Sequence, residues 1–268
     1  MTARARRRRE RGAVSVTAAL SLERNIPLYE LLPQETLEMV HDASMTILEE
    51  VGIEFRYAPA LKVWADAGAD VDDTRVRIRR ELLMSLIEQA PSQFTMHARN
   101  PEQSVEIGGK NIATSPNSGS PFFLDRDGTR RYATRADNIE CIKASHQLPT
   151  IHIAGGFHCE ATDVDIAHRH LAYYVDSMRY TDKVSIGSCQ GADQATDTLE
   201  MAKIVHGSDF VENNAVITGF MNGNSPLVWD ESMLSAAMVY AEAGQPVYYS
   251  PFALAGANTP ASLSLIHI

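Results

Sequence analysis

His158, Cys159 and Glu160 stand side by side in the stretch FHCE, directly after the apolar run IHIAGGF that begins at Ile151. Imidazole, thiol and carboxylate at the C-terminal end of a strand can bind a metal or move a proton, and barrel enzymes keep reactive groups at such ends. Zinc accepts all three ligand types but needs three or four converging in space. His168 and His170 follow on a helical segment, two positions apart and so facing different ways; a structural or surface role is expected for them. Cys189 ends VSIGSCQG, where Gly191 opens a helix whose free N–H groups favour anions. It is either a thiolate held near a helix start or a small buried thiol, and nothing in the sequence names a base beside it. Asn222, Asn224 and Ser225 follow a third strand and can orient a small polar substrate, or simply form a turn. Tyr248, Tyr249 and Ser250 end a fourth, where aromatics can line a pocket for a methylated ammonium or serve as strand core. The substrate-binding candidates are therefore His158, Cys189, Asn222, Ser225, Tyr248 and Tyr249. No catalytic residue is identified and no metal set is complete.

These residues depend on the elements that carry them. Four short apolar strands begin at Ile151, Val184, Ala215 and Pro246, about thirty residues apart, with a helical segment between each pair. Those segments are DIAHRHLAYYVDSMRY, GADQATDTLEMAKIVHG and DESMLSAAMVYAEAG, and the alternation predicts βαβ units with a parallel sheet. Four such units can form a small doubly wound sheet or half of an eight-stranded barrel. Polar, glycine-containing loops after each strand favour the barrel, and no dinucleotide fingerprint or GxxxxGK[ST] is present. Four strands cannot close a barrel, because an open half exposes apolar edges.

Ahead of this repeat, Thr134 and Asp137 form an N-cap pair before NIECIKASHQLP. Residues 31–133 read as three helices followed by antiparallel strands. Leu37, Val40, Ser44, Ile47, Leu48 and Val51 make a helical stripe closed by Gly52. QFTMHARN and SVEIGG alternate as half-buried strands, and SPFFLDRDGTRRYA is a hairpin turning at Asp127-Gly128. Residues 1–30 lack periodicity and are expected to be a disordered leader.

Composition narrows the function classes. Hydrophobic content of 44% and charged content of 22% are those of a globular protein, and no run is long enough to cross a bilayer. Three widely spaced cysteines give no disulfide framework and suit a reducing, cytoplasmic setting. The net charge of −10 includes an N-terminal arm with six arginines, so the body is more acidic than the total. That argues against a nucleic-acid surface, and the arm reads as a solubilising leader.

Several stretches, in order, resemble the trimethylamine methyltransferase (MttB) family of corrinoid-dependent methyltransferases. They are VHDASMTILEEVGIEF, HARNPEQSVEIGG, SGSPFFLDRDGTRRYATRADN, LPTIHIAGGF, TDKVSIGSCQG, LEMAKIVHG, NSPLVWDESM and PFALAGANTPAS. The resemblance covers residues from about 31 to 262. It implies an α/β fold, a (β/α)8 TIM-type barrel truncated to about its first four βα units over residues 134–262, preceded by an α+β section. It also implies methyl transfer from a methylated amine, trimethylamine or a quaternary amine such as glycine betaine, to the cobalt of a corrinoid. The corrinoid is carried by a separate cognate protein, so no tightly bound cofactor is expected in this chain. No membrane or nucleic acid is expected as a partner, and the full-length protein is expected to be a homo-oligomer. Two other readings stay open: an inactive or purely interacting half-barrel, and a zinc-dependent methyltransferase serving a corrinoid protein. Proteins of this family are about twice as long, and some carry pyrrolysine in the later strands. The last six residues, Leu263–Ile268, are what a transposon-end sequencing adapter encodes, and are read as a non-native tail after Ser262.

Overall fold

The computed structural model describes residues 19–224 and 226–251. Its centre is a parallel sheet of four strands, β8 (Ile153–Gly155), β9 (Val184–Gly187), β10 (Ile217–Gly223) and β12 (Val247–Pro251). They lie side by side in sequential order, β8-β9-β10-β12, without the order reversal of a doubly wound sheet. The register pairs Ile217 with Ser185 and Asn222 with Ser250. Among the described residues the sheet stays open and no barrel closes.

Helix α4 (Arg135–Gln147) leads into β8, and α5 (Arg169–Tyr180), α6 (Ala192–His206) and α8 (Glu231–Glu242) connect the strands, with a short α7 (Ser208–Asn213) before β10. α4 starts at Thr134 with a complete capping box: each of Thr134 and Asp137 accepts a bond from the other's backbone N–H. α8 starts at Asp230, whose carboxylate accepts from the Met233 N–H at 2.8 Å. Arg135 grips Asp176 through two bonds of 2.7 and 2.8 Å, tying α4 to α5. Ile217 and Met221 on β10 are fully buried against Leu199, Ala236 and Tyr240 from α6 and α8. Tyr240 needs two missing side chains to fit. A Cβ on Gly219 would lie 2.5 Å from its ring, and one on Gly187 would overlap its hydroxyl. That hydroxyl donates to the Ser188 carbonyl at 2.8 Å and also meets Thr198 Oγ1 at 2.9 Å, so the buried phenol is fully bonded.

Lys183, just before β9, is almost completely buried. Its ammonium donates to the carbonyls of Ser145, Leu148 and Ile151 at 3.2, 2.7 and 2.7 Å. These include carbonyls that the end of α4 leaves without helical partners, so one cation closes the turn from α4 into β8. Desolvation lowers its pKa, opposed by nearby Asp182.

The N-terminal section holds α1 (Gln34–Thr46), which widens into a π-type turn at Ile47–Val51. β1 (Ile53–Phe55), α2 (Ala58–Asp66), β2 (Asp70–Asp72), β3 (Arg75–Arg77) and α3 (Arg80–Ile87) follow. Two antiparallel pairs come next: β4 (Gln93–Met96) with β5 (Val105–Gly108), and β6 (Phe122–Leu124) with β7 (Arg130–Tyr132). The expected α+β character is present, and so is the hairpin turn at Asp127-Gly128. A small strand, β11 (Val228–Trp229), leaves the β10–α8 connection and pairs in parallel with β1.

Two features add to the sequence reading. The stripe on α1 is formed, but Leu37, Val40, Ile47 and Val51 are exposed and only Met45 is buried. The reason is that contact is concentrated at the end of the helix and its turn, where Ile78 N–H bonds the Leu48 carbonyl and Arg80 pairs with Asp42. The leader is ordered further forward than residue 30. Leu20 N–H donates to Pro149, Arg24 N–H to Lys110, and Ile112 N–H to Leu22. Backbone pairing to distant segments fixes this stretch without any internal periodicity. No helix among the described residues is long and apolar enough to cross a membrane.

Candidate active site at the strand ends

The loops after β8 and β9 enclose a cavity of about 350 Å³. A parallel strand followed by a helix leaves its last residues free of side-to-side packing, which is why ligands collect there. Gly156 supplies the left-handed backbone, with φ of 132°, that turns the chain out of β8. The loop is then held by Asn138 of α4. The fully buried Asn138 side chain accepts from the N–H groups of His158 (2.8 Å) and Cys159 (3.4 Å) and donates to the Gly156 carbonyl (3.3 Å).

This clamp sets Phe157 and Glu160 at the cavity wall. Phe157 stacks on Tyr173 with ring centroids 6.0 Å apart. Glu160 Oε2 accepts from Arg169 at 3.2 Å and from the Tyr173 hydroxyl at 3.3 Å. Arg169 is fixed further by its bond to the Val164 carbonyl at 2.9 Å. Burial raises the Tyr173 phenol to about 12, so it remains a hydrogen-bond donor at neutral pH. Ser188, Gln190 and Gln194 add neutral polar groups. His170 also lines the cavity, with its Nε2 bonded to Asp197 at 2.8 Å. A wall with one carboxylate, one guanidinium and the rings of Phe157, Tyr173 and Tyr174 can hold a small molecule that carries both charges.

The six candidates read from sequence do not converge. Cys189 lines this cavity but is buried, and desolvation pushes its thiol up to about 11, which keeps it protonated. His158 sits in the same loop but lines no cavity described here. Its Nε2–H donates to the Ala154 carbonyl at 2.9 Å, and burial lowers its pKa. Tyr248 and Tyr249 occupy opposite faces of β12, as successive strand residues must. Tyr248 lies on the concave face, stacked on Phe220 at 5.3 Å, and Tyr249 lies on the other, stacked on Trp229 at 4.9 Å. Asn222 is in register with Ser250, on the face that carries Phe220 by strand alternation. Ser225 lies outside the described residues. His168 and His170 part company as expected: the first is exposed, the second buried.

Phe157, Arg169, Tyr173, Gln190 and Gln194 were missed. All five lie within stretches quoted for their strands, helices or loops, but none was itself named for its chemistry, as Glu160 was. The signal available was position: each lies within a few residues of a strand end or on the first turns of the following helix. Among the described residues no three His, Cys, Asp or Glu side chains cluster as a metal site.

Comparison with known proteins gives the family of the chain. The chain matches the family described as Trimethylamine methyltransferase (MTTB) over residues 1–266. It is 40% identical over 240 residues to a glycine betaine methyltransferase from Desulfitobacterium hafniense (strain Y51), covering 89% of this chain and 50% of that protein. It is 24% identical over 235 residues to a proline betaine:corrinoid methyltransferase from Eubacterium limosum, covering 85% and 48%. A trimethylamine methyltransferase MttB from Desulfitobacterium hafniense (strain DSM 10664 / DCB-2) matches at 32% over 80 residues, 29% of this chain and 16% of that protein. The chain thus spans about half the length of the two relatives that it matches over most of its own length. The chain belongs to the trimethylamine methyltransferase family.

Proposed function

We propose that this chain contributes the donor site of a methyltransferase that moves a methyl group from a quaternary ammonium zwitterion to the corrinoid of a partner protein. The observation that carries the reading is the Glu160–Arg169 ion pair beside the Phe157–Tyr173 stack at the strand ends. A trimethylammonium group has no N–H to donate, so aromatic faces and a nearby carboxylate are what can hold it. Its own carboxylate needs a cation, and Arg169 is the cation at hand. The ion pair is a fixed dipole, and a zwitterion lying antiparallel to it satisfies both ends. Trimethylamine in its protonated form would leave Arg169 unmatched. The names of the two longest-matching relatives support a betaine-type donor in the same way.

In this reading the four-stranded sheet is the first half of a (β/α)8 barrel, with the strand-end cavity at its catalytic face. The corrinoid supplies a cobalt nucleophile that accepts the methyl group. A quaternary nitrogen leaves as a neutral amine, so its departure requires no proton from the chain. The residues here have to orient the donor and keep water away from it, and the Asn138 clamp holds the loop on which that orientation depends.

Calorimetry on this chain tests the assignment with glycine betaine, trimethylammonium and tetramethylammonium as probes. Glycine betaine is expected to bind more tightly than trimethylammonium. Arg169→Met is expected to weaken betaine by roughly tenfold, the scale of one charge-assisted contact, while leaving tetramethylammonium within about twofold. Failure of betaine to bind, or an Arg169→Met variant that binds it equally well, overturns the assignment. Methyl transfer to free, reduced corrinoid, followed by its absorbance change, tests the reaction itself.

A further inference from the structure

We propose that Cys141 and Cys159 form a peroxide-sensitive thiol pair that closes to an intramolecular disulfide and locks the cavity loop onto α4. The two sulfurs come from rigid elements. Asn138 on α4 bonds the Cys159 backbone N–H, and Cys141 lies three residues on, along the same helix face. Cys159 is fixed on its other side as well: it bridges Ser120, and the next N–H, that of Glu160, donates to the Ser120 carbonyl at 2.9 Å. Cys159 is buried and Cys141 half-exposed, so an oxidant meets Cys141 first and Cys159 is placed to resolve it.

The ionisation of the pair runs the same way. A hydrogen bond from the Cys159 thiol stabilises the Cys141 thiolate and holds its pKa at about 7, against the opposing charges of Asp137 and Glu140. Cys159 keeps its proton, with its pKa raised by the hydrogen bond it makes to Cys141, by burial and by the Cys141 charge. Cys189, the remaining cysteine, is pushed up to about 11 and serves as an internal control.

With a hydroperoxide as oxidant the step balances. The Cys141 thiolate attacks one peroxide oxygen, the O–O bond breaks, and the departing hydroxide takes a proton to become water. Cys141 is then a sulfenic acid. Cys159 sulfur attacks the Cys141 sulfur, the S–O bond breaks, and the second hydroxide leaves with the Cys159 proton. Two thiols lose two electrons, one peroxide gains them, and the products are one disulfide and two waters. The loop so pinned carries Phe157 and Glu160, but the pair does not depend on the donor assignment.

Hydrogen peroxide, applied to the whole chain without any methyl donor, is the probe. The accessible thiol count in denaturant is expected to fall from three to one, with Cys141 and Cys159 peptides joined and dithiothreitol restoring all three thiols. Before oxidation, Cys141 is expected to alkylate at least roughly tenfold faster than Cys189 at neutral pH, because far more of it is thiolate. Cys159→Ser should leave a sulfenic acid on Cys141 that dimedone traps. Should that variant not fold, the wild-type peptide map decides alone. Oxidation that stops at Cys141, joins two chains, or falls on Cys189 overturns the proposal.

Discussion

The two faces of the parallel sheet are built on opposite terms. The helix-covered face is closed: Ile217, Met221 and Tyr240 have essentially no exposure, and glycines at 187 and 219 leave the phenol its space. The concave face is open: Tyr248 is 59% exposed and rests only on Phe220 and its neighbours. Both faces use apolar and aromatic residues at strand spacing, yet only one has the interlocking that makes a change of one carbon costly. An aromatic residue in a strand therefore says little about rigidity until its facing layer is known.

Substitutions on the two sides should separate them. Gly219→Val places carbon where the Tyr240 ring lies, and should destabilise by more than about 3 kcal/mol in urea unfolding. A loss under about 1 kcal/mol would mean that the closed face is soft. Lys183→Met removes the ammonium that links three carbonyls of the α4–β8 turn, of which Ser145 and Leu148 keep a backbone N–H donor, and should cost about 2 kcal/mol by the same measurement. Asp137→Ala removes half of the α4 capping box and should cost about 1 kcal/mol at neutral pH. Arg131 hydrogen bonds hold the Asp137 carboxyl well below the usual carboxylate range. A depressed carboxylate stabilises the fold above its unfolded pKa, near 4, and loses that contribution as pH falls below it toward the folded value. Wild type and Asp137→Ala should therefore converge in thermal scans as pH drops below about 4. Tyr248→Ser, on the open face, should change stability by less than about 0.5 kcal/mol. A larger loss would show that the concave face is already packed.

Much of this fold was legible because it is written in local chemistry. The Thr134–Asp137 cap, the Asp127-Gly128 turn and the thirty-residue strand spacing each depend on a few adjacent residues, and each appears where the sequence puts it. The site was less legible. Glu160, Arg169 and Tyr173 meet through the return of α5 to the end of β8, and no spacing rule announces that meeting. Tyr248 and Tyr249 were open to two roles, pocket lining or strand core, and the strand pleat puts them on opposite faces of β12. The order of residues 19–24 escaped notice for a similar reason: their partners, Gln103, Lys110, Ile112 and Pro149, are all distant.

Trp229 gives the molecule a property that its division into sections hides. It packs in the core of the sheet's closed face and also in the N-terminal core, stacking on Tyr249 at 4.9 Å and on Phe55 at 6.4 Å. β11, which carries it, hydrogen-bonds to β1, and Leu234 of α8 is buried among N-terminal residues. This indole therefore joins the two sections' apolar cores, beside polar ties such as the His97 N–H to the Ala215 carbonyl at 2.7 Å and Asn100 to Asp182 at 3.0 Å. Cleavage of the backbone between Ala133 and Thr134 should leave two fragments that co-elute and melt in a single transition. Trp229→Ala should lower the midpoint of that transition while the remaining ties keep it single.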